Sequence, residues 1–380
     1  MQNENIVKSR DSSIELLKII GIFLIVISHV IQCLHTPNEF IKNQEYILDI
    51  SVASASVQRL ILAMLRSSGA FGNTIFFICS AWFLLESKRI NKRKILYMIA
   101  DVLAVSIFIL SVVYVIRGGD IPLKMVVKQF IPITVENNWY ITCYLLFYPI
   151  HPFLNLLIER MTQKTLLRTT CSMSFLYIGV NFVKDGHYFT SSLILWITIY
   201  FIIAYIKYYL VEISNNMKIN GLVFGVGFIG NYGIVWLTNV VGMNNAFFSD
   251  KILRWGTNTS PFIIMMVISL LNFARNINIQ NKGINYLAKL SLLIYIIHEN
   301  ILLRTYYRPL LWQWIYHNWG YDKVLIWVML LAILIFLFGI LSSVVYKYTI
   351  QIFVVKSCNL IYPILCCIYE KIENKIMLLK

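Results

Sequence analysis

Ile14-Glu15-Leu16-Leu17-Lys18-Ile19-Ile20-Gly21-Ile22-Phe23-Leu24-Ile25-Val26-Ile27-Ser28-His29-Val30-Ile31-Gln32-Cys33-Leu34 is the run whose reading decides the fold. It is long and apolar enough to cross a bilayer as a helix. It nevertheless carries Glu15, Lys18 and His29. Ionisable groups inside lipid are costly, so they turn toward protein or a polar cavity. Positions 15, 18, 22, 25 and 29 alternate steps of three and four, which places them on one stripe of a helix. From Lys18 to His29 the helix makes about three turns and rises about 16 Å. A cation near one end and an imidazole near the other therefore face the same way. The pattern suggests a polar passage between two sides of a membrane.

The rest of the chain has the same character. Of its 380 residues 58% are hydrophobic and only 13% charged, and the mean hydropathy is +0.69. Soluble domains carry about 25% charged residues. The sequence predicts an all-α fold, a polytopic transmembrane bundle of about ten spans. They lie near 14–34, 67–86, 95–116, 139–158, 167–184, 188–210, 220–241, 259–274, 286–303 and 324–346. The first run is expected to stay as a span rather than be cleaved as a leader, because it is long, charged and lacks a small-residue cleavage site. Residues 1–350 read as one membrane domain and 351–380 as a basic tail. In the tail, Pro363 interrupts an apolar run that lysines follow, which favours an interfacial amphipathic helix.

The net charge of +15 reads as a topology signal, and no motif for nucleic acid accompanies it. With the N-terminus placed in the cytoplasm, about two thirds of the 33 lysines and arginines fall on the inner side. The basic run Lys88 to Lys94 is the densest cluster, and Lys8, Arg10 and the tail lysines add to it. Outer loops are expected to be short apart from Thr36–Ser67 and Arg304–Lys323. The seven cysteines have no metal-ligand spacing, and no metal site is expected.

Further along lie the other candidate residues. Gly72 to Leu85 mixes Asn73 and Ser80 with phenylalanines. Asn137-Asn138-Trp139-Tyr140 opens the fourth span, and Pro149 and Pro152 should break or kink it. Asp101 is an intramembrane acid, expected to form a salt bridge. Tyr295-Ile296-Ile297-His298-Glu299-Asn300 ends the ninth span, which puts His298 at the depth of His29. Glu15 and Lys18, three apart, are placed to pair.

These residues, in this order and spacing, resemble the acyltransferase 3 family of integral membrane acyltransferases. The first span is similar to the family's acidic residue, two apolar residues, Arg, ten residues and then His. Ile75 to Leu85 resembles its phenylalanine-rich segment, Asn138-Trp139-Tyr140 its Trp-containing span, and Tyr295-Ile296-Ile297-His298 its late Tyr-x-x-His. Three departures stand out. Lys18 replaces Arg and loses the bidentate fork, Ala81 replaces Gly, and Arg89-Ile90-Asn91-Lys92 only approximates a paired-arginine loop.

The resemblance implies transfer of an acyl group, most often acetyl, from cytosolic acyl-CoA to a hydroxyl of a surface or exported carbohydrate. Acyl-CoA is then a donor substrate rather than a resident cofactor, and the chain is integral to a bacterial plasma membrane with both termini cytoplasmic. Lys18, Lys88, Arg89, Lys92 and Arg93 would hold the donor's phosphates. His29 would be the general base on the stripe of Glu15, and Trp139 or His298 would stabilise the oxyanion. Asn73, Ser80, Asn138, Tyr140 and Tyr295 would meet substrate within the surrounding membrane lipid. Taken without the resemblance, the residues also fit a transporter or flippase of a lipid-linked saccharide, or a non-catalytic partner in envelope assembly.

Overall fold

The computed structural model describes residues 11–35, 48–134, 138–184, 192–277 and 279–377. Asn137, Lys8, Arg10, Lys380 and the start of the first outer loop lie outside them. The described residues form sixteen α-helices and no strand. They are α1 (Ser12–His35), α2 (Val57–Arg66), α3 (Ser68–Leu84), α4 (Lys92–Ile116), α5 (Leu123–Phe130), α6 (Trp139–Arg160), α7 (Gln163–Met173) and α8 (Val180–Lys184). There follow α9 (Ser192–Tyr209), α10 (Val211–Asn215), α11 (Met217–Gly242), α12 (Pro261–Asn276), α13 (Lys282–His298), α14 (Arg308–Trp319), α15 (Val324–Tyr348) and α16 (Ile350–Met377). Among the described residues nine helical stretches are long and apolar enough to cross a membrane, or ten if one bent pair counts as a span. The chain is an integral membrane protein with an all-α polytopic bundle.

Helix α1 is the central column. It packs against α2, α3, α12, α13, α14 and α15, and Ile22, Ile25, Val26, Val30 and Ile31 are buried around its circumference. Its approach to α3 is backbone on backbone: a Cβ added to Gly72 would collide with the Gly21 carbonyl. Small residues permit such close crossings in lipid, where apolar burial alone drives little association. The N-terminal ends of α1 and α13 are tied by Ser12, whose hydroxyl meets Asn285 Oδ1 at 2.9 Å. Their far ends meet at His29 and His298, so the two helices run parallel.

Three expectations are corrected. The break expected at Pro149 and Pro152 does not occur, since helix α6 runs through both. Pro152 frees the Tyr148 carbonyl, and the buried His151 ring takes that carbonyl through Nδ1. Asp101 forms no salt bridge among the described residues. It accepts from Tyr346 Oη at 2.8 Å and Gln351 Nε2 at 3.0 Å, pinning the α15–α16 junction to α4. The supposed outer loop from Arg304 to Lys323 is mostly helical: α13 breaks after His298, and the chain continues at 63° through a π-turn (Leu303–Tyr307) into α14. Likewise α2 (Val57–Arg66) lies within Thr36–Ser67.

Helix α16 runs unbroken through Pro363 and is little buried. Its partners on α4 are Asp101, Tyr97, Arg93 and Lys92, met in turn by Gln351, Asn359, Tyr362 and Tyr369. It therefore runs antiparallel past the Lys92 end of α4. Length and composition qualify it as a span, where the sequence favours an interfacial helix.

Candidate active site

The site forms where α13 breaks. Glu299, the first residue beyond α13, is 1% exposed, yet both its oxygens are engaged. Oε2 accepts from Arg304 Nη1 at 2.8 Å, and Oε1 accepts from Arg308 Nη1 at 3.2 Å. Arg308 also donates to the His298 carbonyl, one of the acceptors left open at the helix end. A buried carboxylate is tolerable only with such partners. The bend in the chain is what lets arginines five and nine positions on fold back onto it.

His29 completes the cluster. Its Nδ1 lies 2.8 Å from Glu299 Oε1 and 3.1 Å from His298 Nε2. His298 Nδ1 lies 2.7 Å from the Ile294 carbonyl. With His29 neutral, one proton arrangement satisfies every contact. A carbonyl only accepts, so His298 carries its proton on Nδ1 and presents Nε2 as an acceptor. The carboxylate held by two guanidiniums also only accepts, so His29 carries its proton on Nδ1. That leaves His29 Nε2 with a lone pair and no protein partner among the described residues.

His29, His298 and Glu299 have donor atoms within 4.8 Å of one another, a set that could hold a cation. Two guanidiniums already neutralise Glu299, and the carboxylate–imidazole contact is direct. The arrangement fits an oriented base better than a metal cradle.

His29 opens onto a cavity of about 460 Å³. Ser28, Arg66, Asn73, Trp139, Thr257, Asn258, Glu299 and Arg304 also line it. A second cavity of about 180 Å³ is lined by Ile25, Phe76, Ser80, Lys94, Met98, Tyr140, Tyr144, Ser291 and Tyr295. Helices α1, α3 and α6 contribute to both, while α13 lines the second and ends just before Glu299 in the first. Ile25 precedes His29 by one turn, Tyr295 precedes Glu299 by one turn, and Phe76 follows Asn73 by about one turn. The cavities are thus stacked along one seam, about 5 Å of helix rise apart. The Tyr140 ring, in the lining of the second cavity, lies 6.1 Å from Tyr295 and 6.3 Å from Phe76 by ring centroids. In the second cavity Lys94 Nζ meets Tyr144 Oη at 3.0 Å.

The structure brings some of the sequence-predicted residues together. His29, Asn73 and Trp139 share the first cavity, and Ser80, Tyr140 and Tyr295 share the second. His298 lies behind His29, outside the lining of the first cavity, with both ring nitrogens in contacts. Asn138 is buried against the Pro132 carbonyl at 2.8 Å and lines neither cavity. Lys18 pairs with Glu15 at 3.2 Å, the contact their spacing predicts, three turns from His29. Lys88 meets Glu159 at 3.8 Å on the surface, Arg89 is exposed, and Lys92 and Arg93 lie over Tyr369 and Tyr362 of α16. Of the basic run, Lys94 is the one that reaches a cavity.

Sequence reasoning quoted Glu299 without giving it a role, and it placed Arg66, Arg304 and Arg308 in loops. The available signal was an acid directly after a late helical histidine, with arginines at +5 and +9.

Comparison with curated proteins and with solved structures gives no match. A family model described as an acyltransferase domain matches residues 11–355, nearly the whole chain and every residue of both cavities. With an oriented imidazole over a polar cavity and that match, the chain belongs to the acyltransferase 3 family and is a membrane acyltransferase.

Proposed function

We propose that this chain moves an acyl group, acetyl in the first instance, from acyl-CoA to a hydroxyl of a surface or exported carbohydrate. The observation that carries this reading is the Glu299–His29 contact, which leaves Nε2 facing a cavity large enough for a sugar. In this scheme the donor enters from the end of the bundle where Lys18 and Lys94 lie. Its pantetheine arm follows the inner cavity past Tyr140, bringing the thioester carbonyl toward His29. The acceptor occupies the outer cavity. His29 Nε2 removes the hydroxyl proton as that oxygen attacks the carbonyl carbon. The tetrahedral intermediate collapses with cleavage of the C–S bond. The imidazolium returns the proton to the departing thiolate, giving an O-acyl sugar and free CoA. Glu299 stabilises the imidazolium without taking its proton. Trp139 Nε1 and the Asn73 amide are the donors in the cavity suited to the developing oxyanion.

The membrane in this reading is a bacterial plasma membrane, with the Lys88–Lys94 end and both termini cytoplasmic. The test is thiol release from acetyl-CoA with a carbohydrate acceptor panel, using protein in lipid nanodiscs. His29→Ala is expected to lower turnover by roughly 10² to 10⁴, the usual worth of a general base. Acetyl-CoA binding should survive that change. Equal rates in the variant and the parent at matched folding would refute the assignment.

A further inference from the structure

The outer cavity is electrostatically unbalanced. Its lining carries two arginines, Arg66 and Arg304, and one carboxylate, Glu299. Glu299 is already saturated by Arg304, Arg308 and His29. Arg66 is different. It has no carboxylate partner among the described residues. Its Nη1 donates to Ser28 Oγ at 2.8 Å, and that hydroxyl donates back to the Arg66 carbonyl at 2.8 Å. Ser28 is fully buried, so it fixes the guanidinium without neutralising it. Arg66 Nε is buried with no partner, and so is Asn258 Oδ1 in the same cavity. Gly69 keeps this corner open: a Cβ there would strike Ser28 Oγ.

A fixed, partly desolvated cation with no carboxylate partner is costly unless something anionic meets it. Arg66 is tied to the residue adjacent to the base. An anion on Arg66 would therefore stand within one sugar unit of a hydroxyl on His29. We propose that the acceptor is an acidic carbohydrate, carrying a carboxylate or phosphate close to the hydroxyl that is acylated, with Arg66 as its anchor. This deepens the acyltransferase reading and rests on it.

The experiment compares matched oligosaccharides that differ only in bearing a uronic acid, a phosphate, or neither. Each is tested with acetyl-CoA and the parent, Arg66→Gln and Arg66→Lys proteins in nanodiscs. Thermal-shift binding of each saccharide is measured in parallel. The parent is expected to prefer an acidic acceptor, and the two acidic arms tell carboxylate from phosphate. In Arg66→Gln the acidic-to-neutral ratio of kcat/KM should fall roughly 10- to 100-fold, mainly through KM, the scale of one lost hydrogen bond to a charged group. Arg66→Lys should recover part of it. Three results overturn the proposal: no preference for acid in transfer or binding; a fall in kcat alone, equal for acidic and neutral acceptors, which would make Arg66 an oxyanion donor; or weakened acetyl-CoA binding, which would place the donor's phosphates there. Absence of His29-dependent thiol release with any acceptor sinks the acyltransferase reading instead, and Arg66-dependent binding of the acidic saccharide then still reports on the anion site.

Discussion

At the scale of single residues, the site turns on which nitrogen of His29 carries the proton. Glu299 decides it, because a carboxylate can only accept. Glu299→Gln tests this directly. The new amide can donate to Nδ1, which would move the ring proton to Nε2 and remove the base. It also leaves Arg304 and Arg308 without their counter-charge. Turnover is expected to fall on the order of 10³- to 10⁴-fold, as for an oriented histidine in the wrong tautomer, while acetyl-CoA binding persists. A loss below tenfold in steady-state kinetics would contradict the tautomer argument. His29 and His298 were legible in the sequence because ionisable groups inside apolar runs announce themselves. Glu299 was not. An acid just past a helix end is ordinary, and nothing local reveals that two arginines return to it.

At the scale of elements, the helices were legible and their directions were not. Hydropathy measures how long an apolar stretch is, so it found the spans from α1 to α15. It cannot see the 63° turn after α13, because a bend leaves composition unchanged. The polar sequence from Arg304 onward therefore read as loop. Nor did the prolines of α6 break it, since His151 supplies a partner for the freed carbonyl. The α1–α3 crossing is the element-scale prediction. Gly72→Leu would push a side chain into the Gly21 backbone, where no rotamer offers escape. Overpacking costs about 1–3 kcal/mol where side chains can yield, and here backbone must move. The thermal midpoint in detergent should drop by several degrees, with loss of activity. An unchanged midpoint would show that the two helices are not so closely seated.

At the scale of the whole molecule, the two cavities should open to opposite faces of the membrane. Arg89 lies at the end of the bundle where α3 finishes, and Thr257 lines the outer cavity. Both are exposed. Single-cysteine variants Arg89→Cys and Thr257→Cys, with the exposed native Cys171 and Cys367 changed to Ser, should react with a membrane-impermeant maleimide from opposite sides of sealed vesicles. Labelling of both from one side would invalidate the transmembrane arrangement. The basic loops predict the alternation of spans that underlies this. The stacking of the cavities was not legible in the sequence, because it depends on helices separated in sequence sharing one seam.

The ring cluster of Phe76, Tyr140 and Tyr295 has a consequence for the cell as well as for the chemistry. A continuous column of water through this seam would be an ion leak, and a membrane that leaks cannot hold its voltage. On the proposed path, aromatic rings beside the second cavity would deny a hydrated ion its solvent shell, which it cannot shed cheaply. A slender, uncharged thioester arm carries no such shell. The same rings would then serve both as electrical insulation and as the wall of a passage, admitting activated carbon where charge is refused.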